Sequence, residues 1–258
     1  MRYLASIIGV VLIVPLLMLK KAFEINVRHH DLELVNYAGE TPFNVFFISD
    51  IHRRKITKRL LDKIDTTIQA VIIGGDLAER GVPLNRVEEN IKALAKIGPI
   101  YYVWGNNDRE VGAQHIRTYI QKFGGIILEN QSICIEHSKQ KVWIIGLEDV
   151  SSGRADIQKS FANVPENEPI VFISHTPFVF DKVKKRFNSD VLLAGHTHGG
   201  QIRFGKWGYY QKGALIKGQN EVTLISNGYG TTFIPLRLGA PAECHILSIK
   251  HKSSTNVR

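Results

Sequence analysis

Five short segments of the 258-residue sequence carry side chains suited to binding metal ions: Asp50-Ile51-His52, Gly75-Asp76, Gly105-Asn106-Asn107-Asp108, His175 and Gly195-His196-Thr197-His198. Asp50, Asp76, His52, His175, His196, His198 and the Asn106 carboxamide together offer a mixed oxygen and nitrogen donor set. Such a set suits Mn2+, Fe2+ or Fe3+, or Zn2+, and suits Ca2+ and Mg2+ poorly, because hard ions prefer oxygen alone. Taken singly, an aspartate at a strand end is more often a helix cap, and a histidine there more often a hydrogen-bonded loop residue. The conjunction of all five segments is what points to a metal site.

The elements that must position these residues are apolar, β-branched runs. Asp50 follows Phe43–Ser49, Asp76 follows Ala70–Gly74, Asn106 follows Ile100–Trp104, His175 follows Ile170–Ser174, and His196 follows Val191–Ala194. Each run, with Val142–Gly146, reads as a strand covered on both faces. Helix candidates alternate with them at Thr57–Thr67, Leu84–Ile97 and Ala113–Phe123, which makes the class α/β. In open α/β sheets ligands bind beyond the carboxyl ends of the strands, so the five segments are expected to meet there. After Gly199 the texture changes to short glycine-punctuated strands, which predicts a second, more antiparallel sheet.

The order D-x-H, G-D, G-N-x-D, H, G-H-x-H resembles the calcineurin-like metallophosphoesterase superfamily, over about Phe43 to Ile249. The segments His196–Gln201 (HTHGGQ) and Asn227–Pro241 (NGYGTTFIPLRLGAP) are similar to a membrane-associated bacterial branch containing phosphodiesterases and UDP-2,3-diacylglucosamine pyrophosphatases. The resemblance implies a four-layer α-β-β-α sandwich of two mixed sheets. It implies two divalent metal ions, one held by Asp50, His52 and His198, the other by Asn106, His175 and His196, with Asp76 between them. The implied chemistry is hydrolysis of a phosphodiester or pyrophosphate bond, in a lipid-linked or nucleotide-like substrate, by a metal-bridging hydroxide.

One position departs from the family. Asn107 stands where the family usually has histidine, thought to stabilise or protonate the leaving-group oxygen. Asn107 and Asp108 are therefore the candidate catalytic positions, and the asparagine can donate a hydrogen bond but not a titrating proton. That predicts a phosphoanhydride or activated diester as substrate. The alternatives are a compensating acid, at His115 or within His29-His30-Asp31, or a membrane-tethered metal-binding protein with weak or lost catalysis. Arg53 and Arg109, with Arg54, follow metal motifs and are candidates to bind substrate phosphate. The basic cluster Lys182, Lys184, Lys185 and Arg186 reads as a solvated face or, beside an anchor, as a surface for anionic lipid, and Trp207, Tyr209 and Tyr210 as core aromatics or the lining of an acyl or nucleotide pocket.

With 44% hydrophobic residues the chain is neither disordered nor a disulfide scaffold, and Cys134 and Cys244 read as packed strand residues. A net charge of +9 suits an anionic substrate or surface, but no specific nucleic-acid module and no protein partner are predicted. Tyr3–Leu19 is an uncharged apolar run flanked by Arg2 and by Lys20 and Lys21. It predicts an N-terminal transmembrane helix, and so a single-pass protein of the cell membrane with the side of the catalytic domain left open. The expected organisation is an anchor at 1–21, a juxtamembrane lead-in at 22–42, the catalytic domain at 43–250 and a polar tail at 251–258.

Overall fold

The computed structural model describes residues 13–219 and 221–252. One sheet contains β1 (Val27–Leu34), β2 (Phe43–Ile48), β3 (Ala70–Gly74), β4 (Ile100–Val103), β5 (Ile126–Ile127) and β12 (Cys244–His251), in the order β1-β12-β2-β3-β4-β5. The other contains β6 (Gln131–His137), β7 (Gln140–Gly146), β8 (Ile170–Ile173), β9 (Val191–Ala194), β10 (Ala214–Lys217) and β11 (Val222–Ile225), in the order β10-β11-β9-β8-β7-β6. The helices are α1 (residues 13–22), α2 (Lys58–Leu61), α3 (Leu84–Leu94), α4 (Ala113–Lys122), α5 (Ile157–Ser160) and α6 (Phe180–Lys184).

Both sheets are mixed. Strands β2, β3 and β4 run parallel, as do β7, β8, β9 and β11, while β12 against β2, β6 against β7 and β10 against β11 are antiparallel. Side-chain alternation decides the layers. In β2, Val45 and Phe47 face inward with Ile72 and Val103, against Ile144, Val171, Ile173 and Leu193 of the other sheet. Phe46 and Ile48 face outward and pack with Ile91 and Leu94 of α3 and Ile116 and Ile120 of α4. Beyond the second sheet, Ile145, Phe172 and Leu192 meet Phe161, Phe180 and Val183 at the two short helices α5 and α6.

Several expectations are corrected. The helix expected over Thr57–Thr67 shrinks to α2, where only Leu60 is buried. The part after Gly199 does not build a sheet of its own. Strands β10 and β11 extend the second sheet through β9, whereas β12 crosses to the first sheet and inserts between β1 and β2. Residues 202–207 form isolated bridges only, and β1 lies inside the stretch read as lead-in. Cys134 lies on β6 and Cys244 opens β12, both as free thiols.

The transmembrane helix is also corrected, and with it the placement in the cell membrane. Residues 1–12 lie outside the described residues, and among the described residues no helix is long and apolar enough to cross a membrane. Residues 13–22 are the described part of helix α1, which ends before Phe23. Its end is tied to the domain: Arg237 N–H donates to the Met18 carbonyl at 3.1 Å, and Arg54 Nη2 to the carbonyls of Phe23 at 2.8 Å and Glu24 at 2.6 Å.

Candidate metal centre

The five segments leave the carboxyl ends of β2, β3 and β4 in one sheet and β8 and β9 in the other, and they meet across the seam. Their backbone turns are tight. Asp50, His52, Asp76, His196 and His198 have φ of 54°, 50°, 50°, 69° and 50°, a left-handed conformation that costs a side-chain-bearing residue about 1–2 kcal/mol. The neighbouring turns hold this strain in place: Asp50 N–H donates to the Gly75 carbonyl at 3.0 Å, and Ile51 and His52 N–H to the Asp76 carbonyl at 2.8 and 3.1 Å. Gly195 is glycine because a Cβ there would collide with the Asp50 carboxylate and the Ser49 side chain.

In one half of the site, His52 Nε2 and His198 Nε2 stand 3.1 Å apart, and His198 Nε2 lies 3.4 Å from Asp50 Oδ1. In the other half, Asn106 Oδ1 lies 3.2 Å from His175 Nε2 and 2.9 Å from His196 Nδ1. Asp76 Oδ2 reaches both, 3.7 Å from His52 Nε2 and 3.4 Å from His175 Nε2. The donor atoms of Asp50, His52 and His198, and those of Asp50, Asp76 and His175, are close enough together to hold an ion each. Nitrogen and carboxylate donors converging at this spacing fit Mn2+, Fe or Zn2+. His175 Nδ1 donates to the Gly74 carbonyl at 2.9 Å, which turns Nε2 and its lone pair toward the site.

The electrostatics agree with a site built for cations. Burial would depress the His175 imidazole, but the Asp76 carboxylate beside it overrides this and raises it to about 10. Burial likewise opposes ionisation of Asp76, yet His175 and His52 hold it below the usual carboxylate range. Burial pushes His198 down to about 3, leaving a neutral ring able to donate a lone pair.

The structure brings Asp50, His52, Asp76, Asn106, His175, His196 and His198 together and places the other candidates around or away from them. Asn107 lies at the site with both of its N–H groups on Asp76. Asp108 is fully buried and accepts from the N–H groups of Asp76 at 2.9 Å, Ala78 at 3.1 Å and Gly105 at 2.8 Å, so it braces two motif loops. Burial and the nearby Asp76 push its carboxyl up to about 7. Arg53 is exposed and pairs with Glu79. Arg109 donates to Glu148 at 2.6 Å and stacks over Trp104, while Arg54 stacks over Tyr229. His115 is exposed on α4, and His29, His30 and Asp31 belong to β1, where His30 Nε2 meets His245 Nδ1 at 3.1 Å. Lys182 and Lys184 are exposed on α6, Lys184 pairing with Glu221 at 2.9 Å.

Two supporting residues escaped the sequence reading. Glu79 Oε2 lies 3.0 Å from His52 Nδ1, on the side away from the donor nitrogen. Its only signal was its place three residues after Asp76. Arg237 is fully buried and donates to the carbonyls of Asn227 at 2.5 Å, Gly230 at 2.7 Å and Ala240 at 2.9 Å. Its Nη2 also lies 3.3 Å from His198 Nδ1. An isolated arginine in LRLGAP gave no hint of this.

Comparison with known proteins agrees with this geometry. The model of the calcineurin-like phosphoesterase family matches residues 43–200. The Bacillus subtilis protein YpbG is 42% identical over 226 residues, covering 87% of each chain. The Escherichia coli phosphodiesterase YaeI is 28% identical over 174 residues, 63% of each chain. Among solved structures, the Haemophilus influenzae NAD nucleotidase superposes with a TM-score of 0.50 at 15% identity, over 73% of this chain and 45% of that one. The 5'-nucleotidase precursor of Thermus thermophilus gives 0.50 at 13% identity, over 80% of this chain and 55% of that one, so this chain spans about half of either structure and shares their fold. With the family's motifs brought to one site by its two facing sheets, this chain belongs to the calcineurin-like phosphoesterase family and is a metallophosphoesterase.

Proposed function

We propose that the chain is a metal-dependent hydrolase of a phosphodiester or phosphoanhydride bond. Asp50, His52 and His198 hold one divalent cation, Asn106, His175 and His196 a second, and Asp76 serves both. The observation that supports this reading best is Asp76 Oδ2 standing within 3.7 Å of His52 and 3.4 Å of His175, one from each half of the site. Two cations at such a site, when bound, neutralise phosphoryl oxygens and bring the pKa of water toward neutrality.

The chain's own residues do the rest. His175 is oriented through Gly74, burial and then the nearby His175 lower the pKa of the His196 imidazole, and Asp50 is anchored by Ser49 Oγ at 2.6 Å. Asn107 supplies a hydrogen bond and no proton, so the favoured leaving groups are weak bases, a phosphate or a phenolate. Arg53, exposed at the rim, meets the non-reacting phosphate, and Arg109 fixes the third motif loop through Glu148. Purified protein with added Mn2+ is expected to hydrolyse bis-p-nitrophenyl phosphate, and Asp76→Ala to abolish it. Absence of turnover with Mn2+, Fe2+ and Zn2+ alike would overturn the reading.

A further inference from the structure

We propose that Phe178, Tyr209 and Tyr210 form an aromatic wall beside the metal centre that binds a planar heteroaromatic ring of the substrate, so that the substrate class is a nucleotide. The proposal deepens the phosphohydrolase reading and rests on it. Phe178 sits in the turn Pro177–Val179, just past His175. Its ring centroid lies 6.1 Å from that of the proposed ligand His196, nearly perpendicular at 87°, and 6.2 Å from Tyr210. Tyr210 lies 6.3 Å from His196, and Tyr209 meets Tyr210 edge-on at 4.7 Å. Phe178 and Tyr210, from two separate loops, therefore flank one imidazole of the centre, with Tyr209 against Tyr210.

These rings are not packed into the core. Phe178 is 64% exposed and Tyr209 87%. Nor do they hang on a loose loop. Arg203, 7% exposed, donates through Nη1 to the Gly199 carbonyl at 3.2 Å and to the Tyr210 carbonyl, and through Nη2 to Lys206 at 2.9 Å. Gly200, at φ 76°, leaves the backbone of Tyr209 and Tyr210 3.1–3.2 Å from where a Cβ would stand, so the loop rests directly on the His196–Gln201 turn. Exposed aromatic rings held at fixed places next to a metal centre gain no burial within the chain, and a ring-bearing substrate would cover them. Two tyrosine hydroxyls beside an exposed phenylalanine ring suit a flat amphipathic ring rather than an acyl chain, which needs an enclosed apolar channel. Stacking accepts any base, because every base has a π face. The chemistry at Asn107 points the same way, since a phosphoanhydride of a nucleotide leaves as phosphate and needs no proton.

The test uses the full chain loaded with Mn2+ and calorimetric titration with adenosine 5'-monophosphate, ribose 5-phosphate and inorganic phosphate. The nucleotide is expected to bind about tenfold or more tighter than ribose 5-phosphate, the gain expected from stacking one base. Phe178→Leu and Tyr210→Leu are expected to bring that ratio toward one, while Trp207→Leu, on the same loop but outside the wall, keeps it. Circular dichroism melts check that each variant is folded, and Tyr209→Leu, at so exposed a position, provides a variant without a folding cost. A ratio of one in the unmodified chain, or a ratio that survives the Phe178, Tyr209 and Tyr210 substitutions, would overturn the wall. Ring preference without turnover of bis-p-nitrophenyl phosphate would instead refute the hydrolase reading alone, and turnover without ring preference would refute the wall alone.

Discussion

Asn107 donates to both oxygens of Asp76, its backbone N–H to Oδ1 at 2.9 Å and its side-chain Nδ2 to Oδ2 at 2.7 Å. The residue that replaces the family's usual histidine is thus engaged with the carboxylate shared by both halves of the site. It ties the loop after β4 to the loop after β3 and offers no titrating proton where one is expected.

That relationship makes leaving-group basicity the sensitive variable. Asn107→His is expected to raise turnover of an alkyl phosphodiester relative to an aryl one by about tenfold, modest against the 10²–10⁴ that general acid catalysis typically contributes. Steady-state kcat on the paired substrates measures it. An unchanged ratio would mean that another residue already supplies the proton.

Arg237 is expected to matter to both folding and metal retention. Its guanidinium holds the 227–230 loop, Ala240 and His198 at once, from a fully buried position. Arg237→Met leaves several buried carbonyls without donors and is expected to cost about 3 kcal/mol or more in denaturant unfolding. Weaker Mn2+ binding in the same variant, read by calorimetry, would mark a positioning role for His198; loss of stability with metal affinity intact would confine Arg237 to scaffolding.

Metal should stabilise the fold. Asp50, His52, Asp76 and His175 are all buried, and a ligand bound only by the native state adds about 2.7 kcal/mol at a hundred times its dissociation constant. Mn2+ is therefore expected to raise the melting temperature by several degrees, EDTA to reverse the gain, and Asp76→Asn to remove most of it. A melting temperature indifferent to Mn2+ would count against the site.

A pH effect is expected away from the centre. His245, buried on β12 against Ser226 at 2.9 Å and His30 at 3.1 Å, has its imidazole pushed by burial down to about 3, with His30 and Arg28 adding to the shift and Glu243 3.8 Å away. Its unfolded counterpart titrates near 6.5, so the unfolded chain takes up the proton first. Stability from this group is complete above about pH 6.5 and declines by about 1.4 kcal/mol per unit as pH falls toward 3. His245→Gln is expected to make the melting temperature fall less steeply between pH 6.5 and 4.5, the share of His198, likewise pushed down to about 3, remaining. A profile as steep as that of the parent chain would assign the acid sensitivity to other groups.

Much of the site was legible because its donors sit at a fixed distance past apolar runs, and such runs are strands wherever they fall. Arg237 and Glu79 were not legible, since a buried arginine and a loop glutamate look like ordinary surface charges until their partners are known. The apolar run Tyr3–Leu19 misled because hydropathy registers composition, whereas the tie from Met18 to Arg237 depends on a segment more than two hundred residues away.

The donor chemistry, the missing histidine at position 107 and the strand ends that carry each motif all follow from the order of residues along the chain. Which strands share a sheet does not. Asp50, His52, Asp76 and Asn106 come from the sheet of β2, β3 and β4, and His175, His196 and His198 from that of β8 and β9, so each half of the centre is completed only across the seam. Uniformly apolar strands are interchangeable as local sequence. Their partners are chosen by long-range backbone pairing and by the packing of the two faces of each sheet, and β12 shows this most plainly, leaving the second sheet to insert between β1 and β2.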